Sequence, residues 1–177
     1  MGSGLLLLLA LAGCTGSRLS QLERTLAGQD SATAALGQWC AARGLADPPR
    51  IVAVSVQGED APLPSDARVL LDIGPSARPG YRHVRLNCGD VTLSEAHNWF
   101  VPSRLTPQMN ATLAATDTPF GKVVGALHFA RERLEANRAP AEGCPAHTVL
   151  SHRAVLRLPD GQPISLVVEC YQDTALR

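Results

Sequence analysis

Short stretches in which apolar residues alternate with polar ones, or run together, predict the strands of this chain. They cover residues 50–57, 81–88, 91–101, 128–136, 149–158 and 163–171. Two connections have turn composition, Cys88-Gly89-Asp90 and Pro159-Asp160-Gly161, and the Asp-Gly step of the second is typical of a hairpin. Strands that neighbour one another in sequence are therefore expected to pair as antiparallel hairpins.

Capping residues and helical spacing predict the helices between these strands. Asp30 or Ser31 would cap a helix that runs through Ala42. Pro107 opens another helix, and residues 120–127 form a short one after a tight turn. Hairpins with helices inserted between them favour an α+β fold, in which an antiparallel sheet has helices covering one side.

An export signal is predicted at the start of the chain. An uninterrupted run from Leu5 to Leu9 is followed by Leu11-Ala12-Gly13-Cys14. The run is too short for a transmembrane helix, which needs about 20 apolar residues. These last four residues resemble a bacterial lipobox, in which the signal is cut before the cysteine and the cysteine is acylated. We therefore expect Cys14 to be lipidated.

This interpretation divides the chain into a signal peptide at 1–13, a lipidated tether with a first helix at 14–29, and one domain at 30–177. It places the domain at the periplasmic face of a bacterial membrane, and Thr15 favours the outer membrane over the inner one. No Lys or Arg precedes the leucine run, although signal peptides begin with positive charge. Without an export signal, the protein is expected in the cytoplasm.

Charge and cysteine content narrow the range of partners. Acidic and basic residues balance at 16 each, so no concentrated basic face for nucleic acid is predicted. An even number of cysteines after the predicted anchor predicts two disulfides, with three pairings open. These cysteines are Cys40, Cys88, Cys144 and Cys170. The sequence has no CxxC pair and no histidines at i, i+4 spacing, so no metal site is expected.

Two charged residues occupy strand positions where the pattern predicts apolar ones. Arg82 shares a predicted face with Val84 and Leu86, and Glu169 follows directly after Val168 in an apolar run. A lone buried charge is destabilising unless it is paired or meets a ligand. The two residues form a salt bridge or lie on the surface, or the arginine binds a ligand carboxylate while the glutamate exchanges a proton. Burial would raise the pKa of Glu169, and a nearby arginine would oppose that shift.

Four short segments follow one another in a recognisable order. They are Asp30-Ser31-Ala32-Thr33, Tyr81 to Leu86, Val101-Pro102 with Asp117 to Gly121, and Gly161 to Glu169. In this order and approximate spacing they resemble the chorismate pyruvate-lyase family, whose relatives include ligand-sensing domains of the same fold. The resemblance covers nearly all of the chain after the predicted anchor, and the combined order of the segments carries it.

The resemblance implies an antiparallel sheet whose internal pocket is closed by flap-like helices. Arg82 and the backbone amide of Phe120 would bind a ring carboxylate. Glu169 would donate a proton at the other end of the ring, and Ala32 would line the pocket where the family has a larger methionine. Such an enzyme is a carbon–oxygen lyase that eliminates pyruvate from chorismate to give 4-hydroxybenzoate, without a metal or organic cofactor.

Other positions depart from the family. Phe120 replaces a leucine, and Asn98-Trp99 replaces a smaller pair that contains arginine. Trp99 would fill the core or reshape the pocket, and Glu95 on the same strand could be a surface charge.

Three functions are open from the sequence. In the first, the domain binds a small aromatic carboxylate, and elimination of pyruvate from chorismate is a possible activity. In the second, it is a non-catalytic, lipid-anchored protein that binds a small ligand or serves the cell envelope on the same fold. In the third, it is a structural lipoprotein with a collapsed pocket.

Overall fold

The computed structural model describes residues 18–58 and 60–177. The predicted signal peptide at 1–13 and the predicted lipidation of Cys14 lie outside the described residues. No helix within the described ranges is both long enough and apolar enough to cross a bilayer.

Six antiparallel strands form one sheet and confirm the predicted α+β fold. The strands are β1 (Ile51–Ser55), β2 (Gly80–Cys88), β3 (Val91–Phe100), β4 (Ala130–Asn137), β5 (Thr148–Arg157) and β6 (Pro163–Gln172). Their order across the sheet is β1-β2-β3-β6-β5-β4. The two predicted hairpins, β2–β3 and β5–β6, therefore meet at the centre through β3 and β6, and the charged segment β4 is an edge strand.

The helices occupy the connections between strands. They are α1 (18–27), α2 (Ala32–Arg43), α3 (Ala67–Leu70), α4 (Pro107–Ala115) and α5 (Phe120–Val123), with 3-10 turns at Pro102–Arg104, Gly125–Leu127 and Asp173–Leu176. Ser31 caps α2 as predicted, because its hydroxyl accepts a hydrogen bond from the N–H of Ala34. The helix predicted over 120–127 is divided into α5 and the second 3-10 turn.

The two faces of the sheet are covered differently. The face that carries Val84 and Leu86, here called the helical face, packs against α1, α2, α4 and α5. The opposite face, here called the loop face, carries Leu166 and Val168 and packs against loops and the four-residue helix α3. The longer helices therefore lie on one side of the sheet, as predicted, and α3 lies on the other.

Two disulfides join these layers to the sheet. Cys40–Cys88 connects α2 to the end of β2, and Cys144–Cys170 connects the loop between β4 and β5 to β6. The structure thus selects one of the three pairings that the sequence left open.

Candidate ligand-binding site

A cavity of about 50 Å³ lies between the helical face of the sheet and the helices α2 and α5. It is lined by side chains of the central strands and of both helices. These residues are Asp30, Ser31, Ala32, Thr33, Arg82, Val84, Leu86, Ala96, Asn98, Phe120, Gly121, Phe129, Arg131, Leu156, Val167 and Glu169. The four pocket residues implied by the family resemblance, Arg82, Glu169, Phe120 and Ala32, are all among them.

The floor of the cavity is formed by the middle of β3. Ala96 lies opposite Val84 on β2 and opposite Glu169 on β6. Asn98, two residues further along the same face, lies opposite Arg82. Arg82 and Glu169 thus stand two strands apart, with neighbouring strands about 4.8 Å from each other, and a small alanine side chain between them. This arrangement leaves space above β3 for a ligand.

Arg82 is anchored by backbone carbonyls and not by a carboxylate. Its Nη1 donates to the carbonyl of Thr118 at 3.1 Å and its Nη2 to the carbonyl of Thr116 at 3.2 Å. Burial lowers the pKa of the half-buried Arg82, and Asp117 opposes that shift. A guanidinium has five N–H donors and stays protonated in proteins. Arg82 can therefore present charge and further donors to the cavity.

Glu169 is paired with a residue that the sequence did not point to. Both its carboxylate oxygens accept hydrogen bonds from Arg131, with 2.9 Å between Nη1 and Oε1, and the Tyr171 hydroxyl donates to Oε2 at 2.9 Å. Of the alternatives that the sequence left open, the salt bridge between Arg82 and Glu169 is therefore wrong, because the register of β4 brings a different arginine to the carboxylate.

The pKa of Glu169 is lowered, contrary to what burial alone predicts. Burial raises the pKa. The charge and hydrogen bonds of Arg131, the charge of His152 and the hydrogen bond from Tyr171 lower it, and together they outweigh the effect of burial. Glu169 is thus an ionised carboxylate at neutral pH, and it accepts three hydrogen bonds.

His152 and Tyr171 complete the polar group beneath the cavity. The two rings meet edge to face with centroids 5.2 Å apart. Burial lowers the pKa of His152 to about 4 against the opposing charge of Glu169, so the imidazole is neutral at pH 7. Its Nδ1 has no hydrogen-bond partner among the described residues. Burial and Glu169 raise the pKa of Tyr171, which therefore keeps the proton that it donates.

Two positions that the sequence left open are also resolved. Trp99 packs among the buried side chains of the loop face, so it fills the core and does not line the cavity. Glu95 is only 6% exposed and accepts hydrogen bonds from His83 and Arg85. Its interpretation as a surface charge is wrong, because β3 is a central strand that is covered on both faces.

The entrance to the cavity passes between α2 and α5. A wider outer hollow of about 430 Å³ shares Ser31 and Gly121 with the cavity and continues outward past Lys122. A Cβ atom on Gly121 would lie 2.5 Å from the Oγ of Ser31, so the two helices are already in close contact. A cavity that holds benzene measures about 150 Å³. A six-membered ring therefore requires α2 and α5 to separate.

No protein-family profile matches the chain. A protein of Sinorhizobium fredii (strain NBRC 101917 / NGR234), described as "Uncharacterized protein y4mC", is 43% identical, and the aligned part covers 89% of this chain and 75% of that protein. The chain belongs to the y4mC family. The description of this relative names no activity, so family membership alone assigns none.

Solved structures similar to this family member include an effector domain and the C-terminal domain of a repressor. The effector domain of PhnF from Mycobacterium smegmatis has a TM-score of 0.58 at 15% identity, over 81% of this chain and 89% of that one. The C-terminal domain of the histidine utilization repressor from Pseudomonas syringae pv. tomato str. DC3000 has a TM-score of 0.51 at 15% identity, over 72% of this chain and 95% of that one. At these identities the likeness shows the fold alone, and that fold is the chorismate lyase-like fold implied by the four segments.

Proposed function

We propose that this domain binds a small carboxylate, most favourably an aromatic one, in the cavity between the sheet and helices α2 and α5, and does not transform it. The observation that carries the proposal is the contrast between Arg82 and Glu169, two of the four charged residues that line the cavity, the others being Asp30 and Arg131. Within the described residues the Arg82 guanidinium donates hydrogen bonds to neutral carbonyls, with the charge of Asp117 nearby, whereas Glu169 is already paired with Arg131.

The carboxylate of a ligand would bind to Arg82. A guanidinium binds a carboxylate with two parallel hydrogen bonds, and such charged bonds are about twice as strong as neutral ones. The ring would lie over Ala96 between Val84 and Val167, where the lining is apolar. An apolar cavity with few polar groups is typical of small-molecule sites.

The state of Glu169 favours binding over catalysis. A general acid works best when its pKa lies near the working pH, so that the acid still holds a proton to donate. The lowered pKa of Glu169 leaves it ionised, and Arg131 and Tyr171 occupy both its oxygens. Proton donation would require Arg131 to leave first.

Elimination of pyruvate from chorismate is the second candidate function. One observation favours it: Arg82, Glu169, Phe120 and Ala32 line a single cavity, as the family resemblance implies. The first candidate is supported by the similar structure from Mycobacterium smegmatis, which is described as the effector domain of PhnF.

Ligand binding can be tested with 4-hydroxybenzoate as the probe and 4-hydroxybenzyl alcohol as its uncharged control. Isothermal titration calorimetry should show saturable binding of the acid and weaker binding of the alcohol. Arg82→Gln should lower the affinity for 4-hydroxybenzoate by about tenfold or more, since hydrogen bonds to charged groups contribute about 1.5–3 kcal/mol. Arg50→Gln, at an exposed arginine, should bind like the wild type.

Absence of binding, or equal binding by Arg82→Gln, would contradict the proposal. Incubation with chorismate, followed by absorbance of 4-hydroxybenzoate, separates the two candidates. No product is expected, and turnover that is lost in Glu169→Gln would establish the lyase.

We also propose that the domain is exported and anchored through a lipid on Cys14, with the small ligand met outside the cytoplasm. The lipobox-like segment supports this location, and so do the two disulfides, because disulfides persist in oxidising compartments. Binding of nucleic acid is not expected.

A further inference from the structure

The loop face of the β2–β3 hairpin carries a second polar group, formed by His83, Glu95 and His97. One ligating atom from each side chain can be chosen such that all three lie within 4.8 Å of one another. The geometry points to a binding site for a divalent transition-metal ion, of which Zn²⁺ is the closest match. This site lies on the opposite face of the sheet from the carboxylate cavity and does not depend on it.

The strand register brings these residues together. His83 on β2 lies directly opposite His97 on β3, and their rings stack with centroids 4.1 Å apart. Glu95 is two residues before His97 and therefore points to the same face. His83 Nε2 is already 2.8 Å from Glu95 Oε1. Two ligands of one tetrahedral zinc ion are about 3.3 Å apart, so the three side chains need to shift by only about an ångström.

The ligand types select the metal. Two imidazoles and one carboxylate suit zinc and its transition-metal neighbours, whereas Mg²⁺ and Ca²⁺ prefer all-oxygen sites. Three protein ligands leave a fourth position for water. The Glu95 and His97 side chains are almost fully buried, while the His83 side chain is 20% exposed and provides a route from solvent.

Both ring nitrogens of His97 have partners around the cluster. The Tyr81 hydroxyl lies 2.8 Å from His97 Nδ1, and the carbonyl of Gly143 lies 3.3 Å from His97 Nε2. Cys144, the residue after Gly143, is tied to β6 by its disulfide. One nitrogen must give up its partner to bind the ion, and the partner that remains then fixes the orientation of the ring, as outer partners of metal-ligating histidines do.

Arg85 is the competing group. Its Nε donates to Glu95 Oε2 at 3.0 Å, so a cation already neutralises this carboxylate. The Arg85 side chain is half exposed and can turn to solvent when an ion binds. Removal of the guanidinium should therefore strengthen metal binding, an effect that a purely structural role of the cluster does not predict.

The test uses the full-length, disulfide-bonded protein without a histidine tag, with Cys14→Ser in every sample so that no free thiol binds metal. Isothermal titration calorimetry with ZnCl₂ should show one saturable site, and MgCl₂ should show none. His83→Gln and Glu95→Gln should each lower the affinity for zinc by at least about tenfold. Arg85→Ala should bind zinc more tightly than the parent, and His147→Gln, at an exposed histidine, should match the parent.

Circular dichroism shows whether each variant is folded, and anomalous scattering from zinc-soaked crystals locates the ion. Density between His83, Glu95 and His97 would support the proposal. A parent protein that binds no zinc would overturn it, as would folded His83→Gln and Glu95→Gln variants that bind zinc like the parent.

Discussion

At the scale of single residues, burial and pairing decide the charge state of each group beneath the cavity. Glu169 and His152 lie side by side on neighbouring strands, opposite each other in the β5–β6 pairing. The carboxylate stays ionised because Arg131 and Tyr171 bind it, while the imidazole loses its proton because its burial is not compensated. At neutral pH the polar group beneath the cavity is therefore an ion pair between Arg131 and Glu169 with a neutral imidazole beside it.

The neutral His152 makes stability depend on pH. Its folded pKa of about 4 lies below the ordinary value of 6.5, so the unfolded chain binds the proton more readily. Its contribution to stability is complete above pH 6.5 and is lost as the pH falls towards 4. Between pH 7 and pH 5 we expect a loss of about 2 kcal/mol in the free energy of unfolding. Urea denaturation at both pH values measures this loss.

His152→Gln should reduce this pH dependence by about that amount, whatever its effect on overall stability. The exposed residue His147 serves as the control, and His147→Gln should keep the wild-type dependence. An unchanged dependence in His152→Gln would show that this imidazole titrates normally.

Of the four charged residues that line the cavity, Arg82 and Glu169 were recognisable from the sequence as site residues and Arg131 was not. Arg82 and Glu169 were recognisable because each interrupts an otherwise apolar strand pattern. Arg131 was not, because β4 is charged along its length and nothing in it distinguishes the arginine that points inward. Only the pairing of Arg131 with Leu156 on β5 fixes its face.

At the scale of elements, the hairpins were predictable because period-two patterns and turn residues determine them locally. The four-residue α3 was not, since four residues are too few to show a helical period. The cluster of His83, Glu95 and His97 could have been predicted from the sequence. Pairing 81–88 with 91–101 through the turn at Gly89 places His83 near His97, but a search limited to helical spacing overlooks a site formed across two strands.

The contact between α2 and α5 gives a prediction at this scale. Gly121→Ala would force its Cβ against the Oγ of Ser31, so this hydroxyl must give up its place as the cap of α2 or the two helices must shift. We expect a loss of about 1–3 kcal/mol in the free energy of unfolding, as for other overpacked sites. Gly125→Ala is the matched control, because no atom lies within 4 Å of its added Cβ, and it should change stability by less than about 0.5 kcal/mol.

Chemical denaturation of both variants measures the difference. Equal stability of Gly121→Ala and Gly125→Ala would mean that α2 and α5 are not in close contact in solution.

At the scale of the whole molecule, the two disulfides stabilise opposite layers. Cys40–Cys88 closes a separation of 48 residues and Cys144–Cys170 one of 26. Loop-closure entropy assigns each about 3.5–4 kcal/mol, a large part of the stability of a typical domain. Disulfides persist in oxidising compartments, so this stabilisation would be retained at the location proposed above.

The location is tested by expression in a bacterium with an outer membrane. The wild type should sediment with membranes and gain the mass of its acyl chains. Cys14→Ser should lack that mass and leave the membrane fraction. A wild-type protein that is recovered soluble with an unmodified Cys14 would refute the anchor, while the carboxylate site would be unaffected.

The central strand β3 has a consequence for how this protein can change during evolution. Its successive side chains alternate between the two faces of the sheet, with Ala96 and Asn98 on the helical face and Glu95 and His97 on the loop face. Insertion or loss of one residue in the turn at Gly89 would exchange these sets and remove both sites together. Point substitutions, in contrast, can change the residues on one face of β3 without affecting the other face. The length of this turn should therefore vary far less among relatives than the residues on the two faces.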